Sequence, residues 1–419
     1  MKLLNDIIKK NLPTKQEQKK IQVKIDEFLD KIQLEIFKNE FKVEIVLGGS
    51  AAKGTFLKND FDVDIFVRFD YGYKEEDLSK MLAKILKIFK PSLVHGSRDY
   101  FQVKNKGIHY EIIPVLKVED PKKALNVTDM SPLHVQWVQK NMSAKLRKEV
   151  ILAKLFCKAN NLYGAESYIR GFSGHVLDVL IVYYGGFLKL LKASQKWSPK
   201  GKLNLYGIID VQKHGTAKKL NLSKLSPLVV IDPIQPNRNA AAALGKDKLE
   251  LFIEKSKDFL KKPSQKYFVK KKLTLTKLKK LKPKDSKLFV LNVMALTGKE
   301  DIVGAKLLKS HMHLLKQLDI HNFIVYNSGW AWDKSKKAMF WFFIDQDLLN
   351  KETLRTGPPV KAKNPAKSFK AKHKKAFVED ARLYAYVKRM FRTPDKLFNF
   401  FVKETYVKGK IKSAKLKVY

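Results

Sequence analysis

The sequence predicts an α+β, multidomain protein, and three observations support that fold class. The chain has 419 residues, enough for about two to four domains with separate hydrophobic cores. Hydrophobic residues form 45% and aromatic residues 11% of it, which is typical of a folded chain. Short alternating apolar runs near the N-terminus give way to longer helical periodicities, and the lysine-rich stretch 261–287 separates these from a second mixed region.

The first third alternates helices and strands. Apolar residues at helical spacing between Ile21 and Ile36 predict an amphipathic helix before the first strand. In order, we expect a helix at 15–38, strands at 43–47 and 61–67, a helix at 75–89, and strands at 99–104 and 108–115. Ser131 followed by Pro132 is typical of a helix start, with serine as the N-cap.

A mostly helical region follows, and a second mixed region ends the chain. We predict helices at 144–160, at 174–195 with Ser173 as cap, and at 246–261, then a domain boundary near Pro263. Beyond it we predict a strand at 288–296, a helix at 300–318, strands at 321–327 and 338–345, a basic loop at 357–375 and a helix at 377–390. This order suggests a small sheet with helices on one face. The predicted domains are 1–130, 131–262 and 263–419.

The formal net charge of +43 indicates a polyanionic partner, with nucleic acid ahead of an anionic membrane surface. The alternative is a lineage that favours lysine, since only nine of the 84 basic residues are arginine. The apolar stretch 179–191 is too short and too interrupted to span a membrane. The start of the chain has no signal-like segment and Cys157 is the single cysteine, so we expect a cytoplasmic protein without disulfides or a thiolate zinc cluster.

The segment 47–67 carries the most informative motif. Gly48, Gly49 and Ser50 follow a predicted strand and precede a short turn of helix, where backbone amides can face an anion. Asp62 and Asp64 follow on a predicted strand, so both carboxylates project from one face, roughly 7 Å apart at Cα. A phosphate cradle beside paired acids is what metal-assisted nucleotide chemistry requires. The alternative for Asp62 and Asp64 is a solvated acidic edge strand.

A third carboxylate completes the predicted metal site. Glu111 lies in the next strongly apolar strand, where a buried unpaired acid would be costly. We therefore expect it to bind metal with Asp62 and Asp64, the alternative being an outward-facing glutamate. Ser50 and Lys53 are candidate triphosphate contacts, although Lys53 is also compatible with a solvated position. His134 is equally compatible with a structural role.

A glycine- and aromatic-rich segment, 158–174, lies between two predicted helices. Its mixture of charged, aromatic and glycine residues is typical of a ligand-facing loop rather than of core packing. Tyr163 and Tyr168 there are equally compatible with the core. Arg170 in this segment and Arg238 are the better candidates for planar, bidentate contacts, because arginine is rare in this chain.

These motifs resemble those of a known family. Gly49-Ser50 with Asp62 and Asp64 resembles the nucleotidyltransferase superfamily that includes DNA polymerase beta and eukaryotic poly(A) polymerase. Further motifs occur in the order seen in archaeal (class I) CCA-adding enzymes, which build or repair the 3′ CCA end of tRNA: Lys53-Gly54-Thr55, Glu111 to Pro114, Ser131 to His134, Lys158 to Asn160, Tyr163 to Glu166, Arg170 to Gly174, and Asp232 to Asn239.

The resemblance implies a fold, a reaction and roles for single residues. It implies an N-terminal polymerase-beta-like nucleotidyltransferase domain, a helical central domain and C-terminal α/β RNA-binding domains. Asp62, Asp64 and Glu111 would hold two Mg²⁺ ions. ATP or CTP would contact Gly49, Ser50, Lys53, His134, Lys158, Ser167 and Arg238, with Arg238 at the base edge. Ser167 stands where the family usually has tyrosine, and Lys53 where arginine is common.

The implied partners are CTP, ATP and tRNA, which would be held by its acceptor and T arms. The implied reaction needs no nucleic-acid template, and relatives suggest a homodimer. Two alternatives stay open: another nucleotidyltransferase, such as a poly(A) polymerase or an oligoadenylate synthetase, or an RNA-binding protein with an inert transferase domain. Neither rival accounts as well for Arg170 to Gly174 together with the three acids.

Overall fold

The computed structural model describes residues 2–58, 62–215, 220–271, 273–345 and 347–419. The chain forms two compact units, Met1–Lys271 and Lys272–Tyr419, here called the N-terminal and C-terminal units. The three-domain division drawn from the sequence stays a prediction. Within the described ranges, no helix combines the length and the apolar composition needed to cross a bilayer.

The N-terminal unit begins with a five-stranded sheet covered by helices. Its elements are α1 Lys2–Asn11, α2 Lys15–Lys38, β1 Val43–Leu47, α3 Gly49–Lys53, β2 Asp62–Phe69, α4 Leu78–Leu86, β3 Ser92–Val94, β4 Tyr100–Asn105 and β5 Ile108–Leu116. The strand order is β1-β2-β5-β4-β3, with β2 and β5 parallel and the other pairs antiparallel. The predicted helix at 15–38 is confirmed, whereas α1 and β3 were not predicted. Residue 61, the predicted start of the second strand, lies outside the described residues.

The alternation along β2 decides where its acids point. Val63, Ile65 and Val67 are fully buried in the core beneath α2 and α4. Since successive side chains on a strand face opposite sides, Asp62 and Asp64 project from the other face. Apolar burial on one face of β2 thus places the carboxylates on the other.

A helical region completes the N-terminal unit. Its elements are α5 Ser131–Asn141, α6 Ala144–Ala159, α7 Gly174–Tyr184, α8 Phe187–Ser194, β6 Gly207–Ile209, β7 Leu228–Val230 and α9 Lys246–Lys261. Ser173 caps α7 as predicted, accepting a hydrogen bond from the amide of Val176 at 3.2 Å. The single helix predicted at 174–195 is wrong, because Gly185 and Gly186 have φ values of 71° and 142° and end α7.

The expected serine cap at Ser131 is also wrong. Residues Val127–Met130 form a 3₁₀ turn that continues directly into α5, so Ser131 already has helical backbone angles. The cap lies earlier, at Asn126, whose side chain accepts from Thr128 while Asp129 bonds back to the Asn126 amide. Pro132 does occupy the first turn of α5.

The C-terminal unit contains two sheets. Its elements are α10 Leu275–Leu281, β8 Ser286–Ala295, α11 Glu300–Ile320, β9 Val325–Trp332, β10 Lys337–Asp345, β11 Glu352–Pro359, α12 Lys363–Lys372, β12 Phe377–Glu379, β13 Arg382–Lys388, α13 Pro394–Phe401, α14 Thr405–Lys408 and β14 Ile411–Val418. The first sheet has the order β14-β8-β10-β9 and the second β11-β13-β12. α11, α13 and α14 pack on one face of the first sheet, and Leu278 of α10 packs on the other. Helices therefore cover both faces rather than the one predicted.

The largest errors of sequence interpretation lie in the second sheet. The loop predicted at 357–375 contains the end of β11 and the helix α12, and the helix predicted at 377–390 is instead β12 and β13. In β13, buried Leu383 and Ala385 alternate with Tyr384 and Tyr386, which is the period of a strand. The prolines that suggested a loop end the edge strand β11, where a missing amide donor is tolerated.

Candidate active site

The predicted acids meet on one face of the five-stranded sheet, on its inner strands β2 and β5, and Asp62, Asp64 and Glu111 are together called the carboxylate edge below. Asp64 on β2 lies directly beside Glu111 on the parallel strand β5, and Asp62 precedes Asp64 on the same face. Gln102 on β4 lies opposite Glu111 and donates a hydrogen bond to its Oε1 at 2.8 Å. The structure therefore brings the three carboxylates together on neighbouring strands.

The surroundings of Asp64 shift its pKa strongly. Burial, followed by the negative charges of Glu111 and Asp62, raises its pKa to about 7. Lys53 and Lys154 act in the opposite direction but do not compensate. A group of acids in which one resists ionisation is a site that a cation would stabilise.

The glycine turn lies against these acids. Gly48 donates its amide to the carbonyl of Asp64 at 2.8 Å, which fixes the turn to β2. Gly49 has φ of +54°, and a Cβ there would lie 1.5 Å from Oδ2 of Asp64. Only glycine therefore permits this approach of the turn to the carboxylate. Ser50 follows in the first turn of the five-residue helix α3.

Lys53 at the end of α3 is not the solvated residue allowed by the alternative interpretation. It is 9% exposed, and its Nζ donates to Oδ2 of Asp178 on α7 at 2.8 Å. Asp178 is 1% exposed, and its Oδ1 has no hydrogen-bond partner among the described residues. The pair connects the glycine turn to the helical region through a buried charge contact.

Two further lysines from α6 face the same space. Nζ of Lys154, which is 6% exposed, donates to the carbonyl and Oγ1 of Thr55 at 3.1 and 3.0 Å. Nζ of Lys158 lies 4.7 Å from the centre of the Tyr163 ring, within the range of a cation–π contact. Tyr163 is thus a cleft residue rather than part of the core alone.

These residues line a cleft of about 330 Å³, large enough for part of a nucleotide. Both acids and lysines line it. Its lining consists of Gly49, Ser50, Lys53, Thr55, Phe56, Leu57, Asp62, Asp64, Glu111, Lys154, Lys158, Tyr163, Gly174, His175 and Asp178.

His134 and Arg238 meet at a second, adjacent cluster around Asp232. Nε2 of His134 lies 2.9 Å from Oδ1 of Asp232, and Nη1 of Arg238 donates to Oδ2 at 2.6 Å. The amides of Ile234 and Gln235 donate to Oδ1 as well. Burial favours the neutral form of Asp232, but the hydrogen bond and charge of His134 and the charge of Arg238 outweigh it and hold its pKa well below the usual range.

His175 joins this cluster to the cleft. Its Nε2 lies 3.8 Å from Oδ2 of Asp232, and its ring centre lies 4.4 Å from that of His134. Burial, and then the charges of His134 and Lys53, lower its pKa well below the ordinary value, so the ring is neutral. His134, His175 and Asp232 are close enough together to hold an ion. However, the oxygens of Asp232 already accept hydrogen bonds from Arg238 and two backbone amides and contact His134, so His134, Asp232 and Arg238 are better described as a hydrogen-bonded network that His175 adjoins.

Two residues of the predicted loop lie apart from the cleft lining. Ser167 is exposed, and its predicted nucleotide contact stays a prediction. Arg170 has φ of +57°, its carbonyl accepts from the amide of Gly245 at 2.8 Å, and its Nη2 lies 3.8 Å from Asp247. In this structure Arg170 fixes the loop to the start of α9.

Sequence reasoning did not identify four residues at the site: Lys154, His175, Asp178 and Asp232. Lys154 and Asp178 lie within apolar helices, where a buried charge was a usable signal because it requires a partner. Asp232 was quoted only as part of a motif, although its position before Pro233 and close to Arg238 could have suggested a turn that holds the arginine. His175 had no distinguishing signal.

Three known domain families match successive segments of the chain. Residues 29–134 match the nucleotidyltransferase domain family, and residues 148–269 match the second domain of tRNA nucleotidyltransferases. Residues 286–415 match the C-terminal domain of CCA-adding enzymes. The acids and the glycine turn lie within the first match, and α7 lies within the second.

Two curated relatives match almost the whole chain. The CCA-adding enzyme of Methanocaldococcus jannaschii is 32% identical over 93% of this chain and 88% of its own length. That of Nanoarchaeum equitans is 33% identical over 92% of this chain and 93% of its own length.

A solved structure of the Cid1 poly(U) polymerase with Mg 3′-dATP bound shares the fold of part of the chain. It has a TM-score of 0.50 at 14% identity and covers 64% of this chain and 98% of its own. Nucleotidyltransferases typically use divalent metal ions, and the carboxylate edge described above is compatible with that chemistry. From the match to archaeal relatives along nearly its full length, the chain belongs to the CCA-adding enzyme family of nucleotidyltransferases.

Proposed function

We propose that this protein adds and repairs the 3′-terminal CCA of tRNA, transferring CMP, CMP and AMP from CTP and ATP without a nucleic-acid template. The observation that carries the proposal is the juxtaposition of Asp62, Asp64 and Glu111 with the glycine turn and three cleft lysines. Acids suited to a divalent cation lie next to cations suited to a polyphosphate, as nucleotidyl transfer requires.

We propose that the carboxylate edge holds two Mg²⁺ ions. Asp62, Asp64 and Glu111 supply oxygen ligands, which magnesium prefers, and the pKa of Asp64 is raised by burial and then by the two neighbouring acids. When bound, the ions would lower the pKa of the tRNA 3′-hydroxyl and neutralise the phosphates. Because residue 49 is glycine, the backbone of the turn lies against Asp64, so phosphates bound by the turn would lie close to the proposed metal ligands.

The cleft lysines and the turn would bind the triphosphate. Ser50 offers a hydroxyl donor at the start of α3, and Lys53 and Lys158 offer positive charge from two different helices that line the cleft. The pairing of Lys53 with Asp178 fixes its ammonium group in the cleft.

Arg238 and His134 would act at the nucleobase. Asp232 holds one Nη of Arg238, while the arginine side chain remains 37% exposed, so its other donors can meet a base edge. A guanidinium fixed in this way offers a defined donor pattern, which helps to select C or A over G and U. His134 is held by the same carboxylate and would contact the nucleotide beside it.

The tRNA would be gripped by its acceptor and T arms through the basic C-terminal part of the chain. The +43 charge supports backbone contacts of that kind, and binding should fall steeply with added salt. The proposal includes a catalytic domain at 1–130, a nucleotide- and tRNA-binding domain at 131–262 and a tRNA-binding region at 263–419. It also includes a cytoplasmic location and a homodimer.

One assay tests the function. The protein is incubated with a tRNA transcript that lacks CCA, with Mg²⁺ and with labelled CTP or ATP, and the products are sequenced. We expect two C residues, then one A, and then a stop. Unlimited addition of A would instead indicate a poly(A) polymerase, and retained tRNA binding without incorporation would indicate an inert RNA-binding protein.

A further inference from the structure

The second sheet of the C-terminal unit has two unlike faces. On one face, Leu383 and Ala385 of β13 are buried, with exposures of 0% and 1%. α12 packs on this sheet, and the Phe369 ring lies 2.9 Å from where a Cβ of Gly357 would stand. This face is an ordinary small core.

The opposite face of the sheet is aromatic and open to solvent. Tyr384 lies opposite Phe377 of β12, and Tyr386 lies opposite Leu354 of β11, so all four side chains share one face. The Phe377 ring centre lies 5.9 Å from those of both Tyr384 and Tyr386, at interplanar angles of 26° and 25°. Tyr386 is 62% exposed, Leu354 45% and Phe377 37%. We call Phe377, Tyr384 and Tyr386 the aromatic face.

This arrangement needs an explanation beyond folding. The solvated face of an antiparallel sheet is usually polar, and a contiguous exposed apolar surface is characteristic of a binding site. The Phe377 ring lies at 26° and 25° to the rings of Tyr384 and Tyr386, and the three rings lie on the outer side of the sheet rather than filling a gap in the core. Nothing in the folding of the sheet requires aromatic residues there, because Leu383 and Ala385 already supply the core side.

The surrounding charge indicates what binds. The segment 351–389 contains twelve lysines and arginines and three acids. Arg382 and Lys388 of β13 share the aromatic face, opposite Glu379 and Glu352 respectively. A second copy of this chain, docking through the same face, would bring two strongly basic segments together. A polyanion that carries flat apolar groups matches both features, because its charges pair with the lysines and arginines and its flat groups stack on the rings.

We propose that the aromatic face is a stacking platform for unpaired or end-exposed nucleobases of RNA. The inference rests on the proposed function, since it assigns part of tRNA recognition to base stacking as well as to backbone charge. Aromatic side chains stack on any base, and lysines and arginines around them hold the phosphates. The platform selects for the shape of an RNA in which bases are accessible, not for its sequence.

The test measures binding of a tRNA transcript lacking CCA to the full chain carrying Tyr386→Ala. We expect the dissociation constant to rise about 5- to 150-fold, the range for loss of one stacked base. Tyr386→Phe should bind as the wild type does, because the ring remains. Tyr326→Ala, which removes another exposed tyrosine of the same unit, is the matched control and should have little effect.

The salt dependence separates stacking from charge. Tyr386→Ala should weaken binding at every salt concentration without changing the slope of affinity against salt, whereas Lys388→Ala should make that slope shallower. Wild-type tRNA affinity in Tyr386→Ala would overturn the proposal. So would a change of oligomeric state in sedimentation with tRNA affinity unchanged, which would indicate a protein partner. If the wild-type chain incorporates no C or A, the proposed function fails, but the binding measurements still decide the role of the aromatic face.

Discussion

Two buried aspartates of the N-terminal unit have opposite electrostatics. Asp64 lies among acids, and its pKa is raised to about 7. Asp232 is surrounded by donors, and its pKa is held well below the ordinary range by His134 and Arg238. Burial acts on both in the same direction, so the difference comes from their partners.

The comparison separates a site that requires a ligand from one that organises side chains. Around Asp64 the protein supplies carboxylate oxygens that repel one another. The positive charge that balances them must come from a bound cation. Around Asp232 the donors and the positive charge that hold the carboxylate come from the protein itself, and the result is a fixed position for His134 and Arg238. Substitutions at the first centre should therefore affect chemistry more than stability, and those at the second should affect both.

The largest expected effect is at the carboxylate edge. Asp62→Ala should lower nucleotide incorporation on the order of 10³-fold or more, because it removes a metal ligand needed only for the reaction. tRNA affinity should remain close to that of the wild type. Single-turnover incorporation and filter binding measure the two effects, with Asp30→Ala, an exposed acid on α2, as the control. Substantial residual incorporation by Asp62→Ala would contradict the metal assignment.

The second prediction concerns Asp232. Asp232→Ala should lower the free energy of unfolding by roughly 3–5 kcal/mol, because Arg238 and His134 lose their buried partner. It should also weaken the preference for CTP and ATP over UTP and GTP, since the guanidinium is no longer fixed. Denaturant unfolding and competition between nucleotides measure these effects. Unchanged stability together with unchanged nucleotide preference would show that Asp232 does not hold His134 and Arg238 in place.

The third prediction tests the buried ion pair that joins α3 to α7. Lys53→Met alone leaves Asp178 charged and without its partner, so it should be strongly destabilising. Adding Asp178→Asn should restore part of the stability but not the activity, because the phosphate-binding charge is still missing. A double-mutant cycle in unfolding free energy should show a coupling of about 1–3 kcal/mol. A coupling near zero would mean that the contact contributes nothing to stability.

Much of the site could be predicted from the sequence because its chemistry depends on local patterns. Gly49, Asp62 and Asp64 lie within one turn and one strand, where period-two alternation fixes direction. Glu111 was identified by its charge in an apolar strand. The partners of Lys53 and His134 could not be predicted, because Asp178 and Asp232 are distant in sequence and meet them only through packing of the helical region.

The fold was predicted best where one face of an element is clearly apolar. The helix at 15–38 matches α2 because Ile25, Phe28 and Ile32 mark a continuous buried stripe. The second sheet of the C-terminal unit was missed because its exposed rings mask the alternation in β13. A sequence in which both strand faces carry apolar groups cannot be separated from a helix by periodicity alone.

Proton linkage distinguishes the two aspartates further. With a folded-state pKa above its ordinary 3.8, Asp64 binds more protons in the folded state, so its contribution to stability is lost as pH rises from about 4 to about 7. For Asp64 this amounts to on the order of 4 kcal/mol. The contribution of Asp232 has the opposite sign: it is present above about pH 4 and is lost as pH falls below that value. Asp64→Asn should remove the loss of stability between about pH 4 and pH 7 and leave the loss at lower pH that Asp232 causes. Unfolding free energies measured across this pH range test both.

The most direct test is the thermal stability of the metal-free protein at pH 7.5 with and without added Mg²⁺, compared between the wild type and Asp64→Asn. A cation bound at the carboxylate edge should relieve the charge excess around Asp64 and raise the wild-type Tm by several degrees. Asp64→Asn should start from a higher metal-free Tm and gain little from Mg²⁺. An equal rise in Tm for both proteins, or no rise in the wild type, would contradict the assignment of this edge as the catalytic metal site.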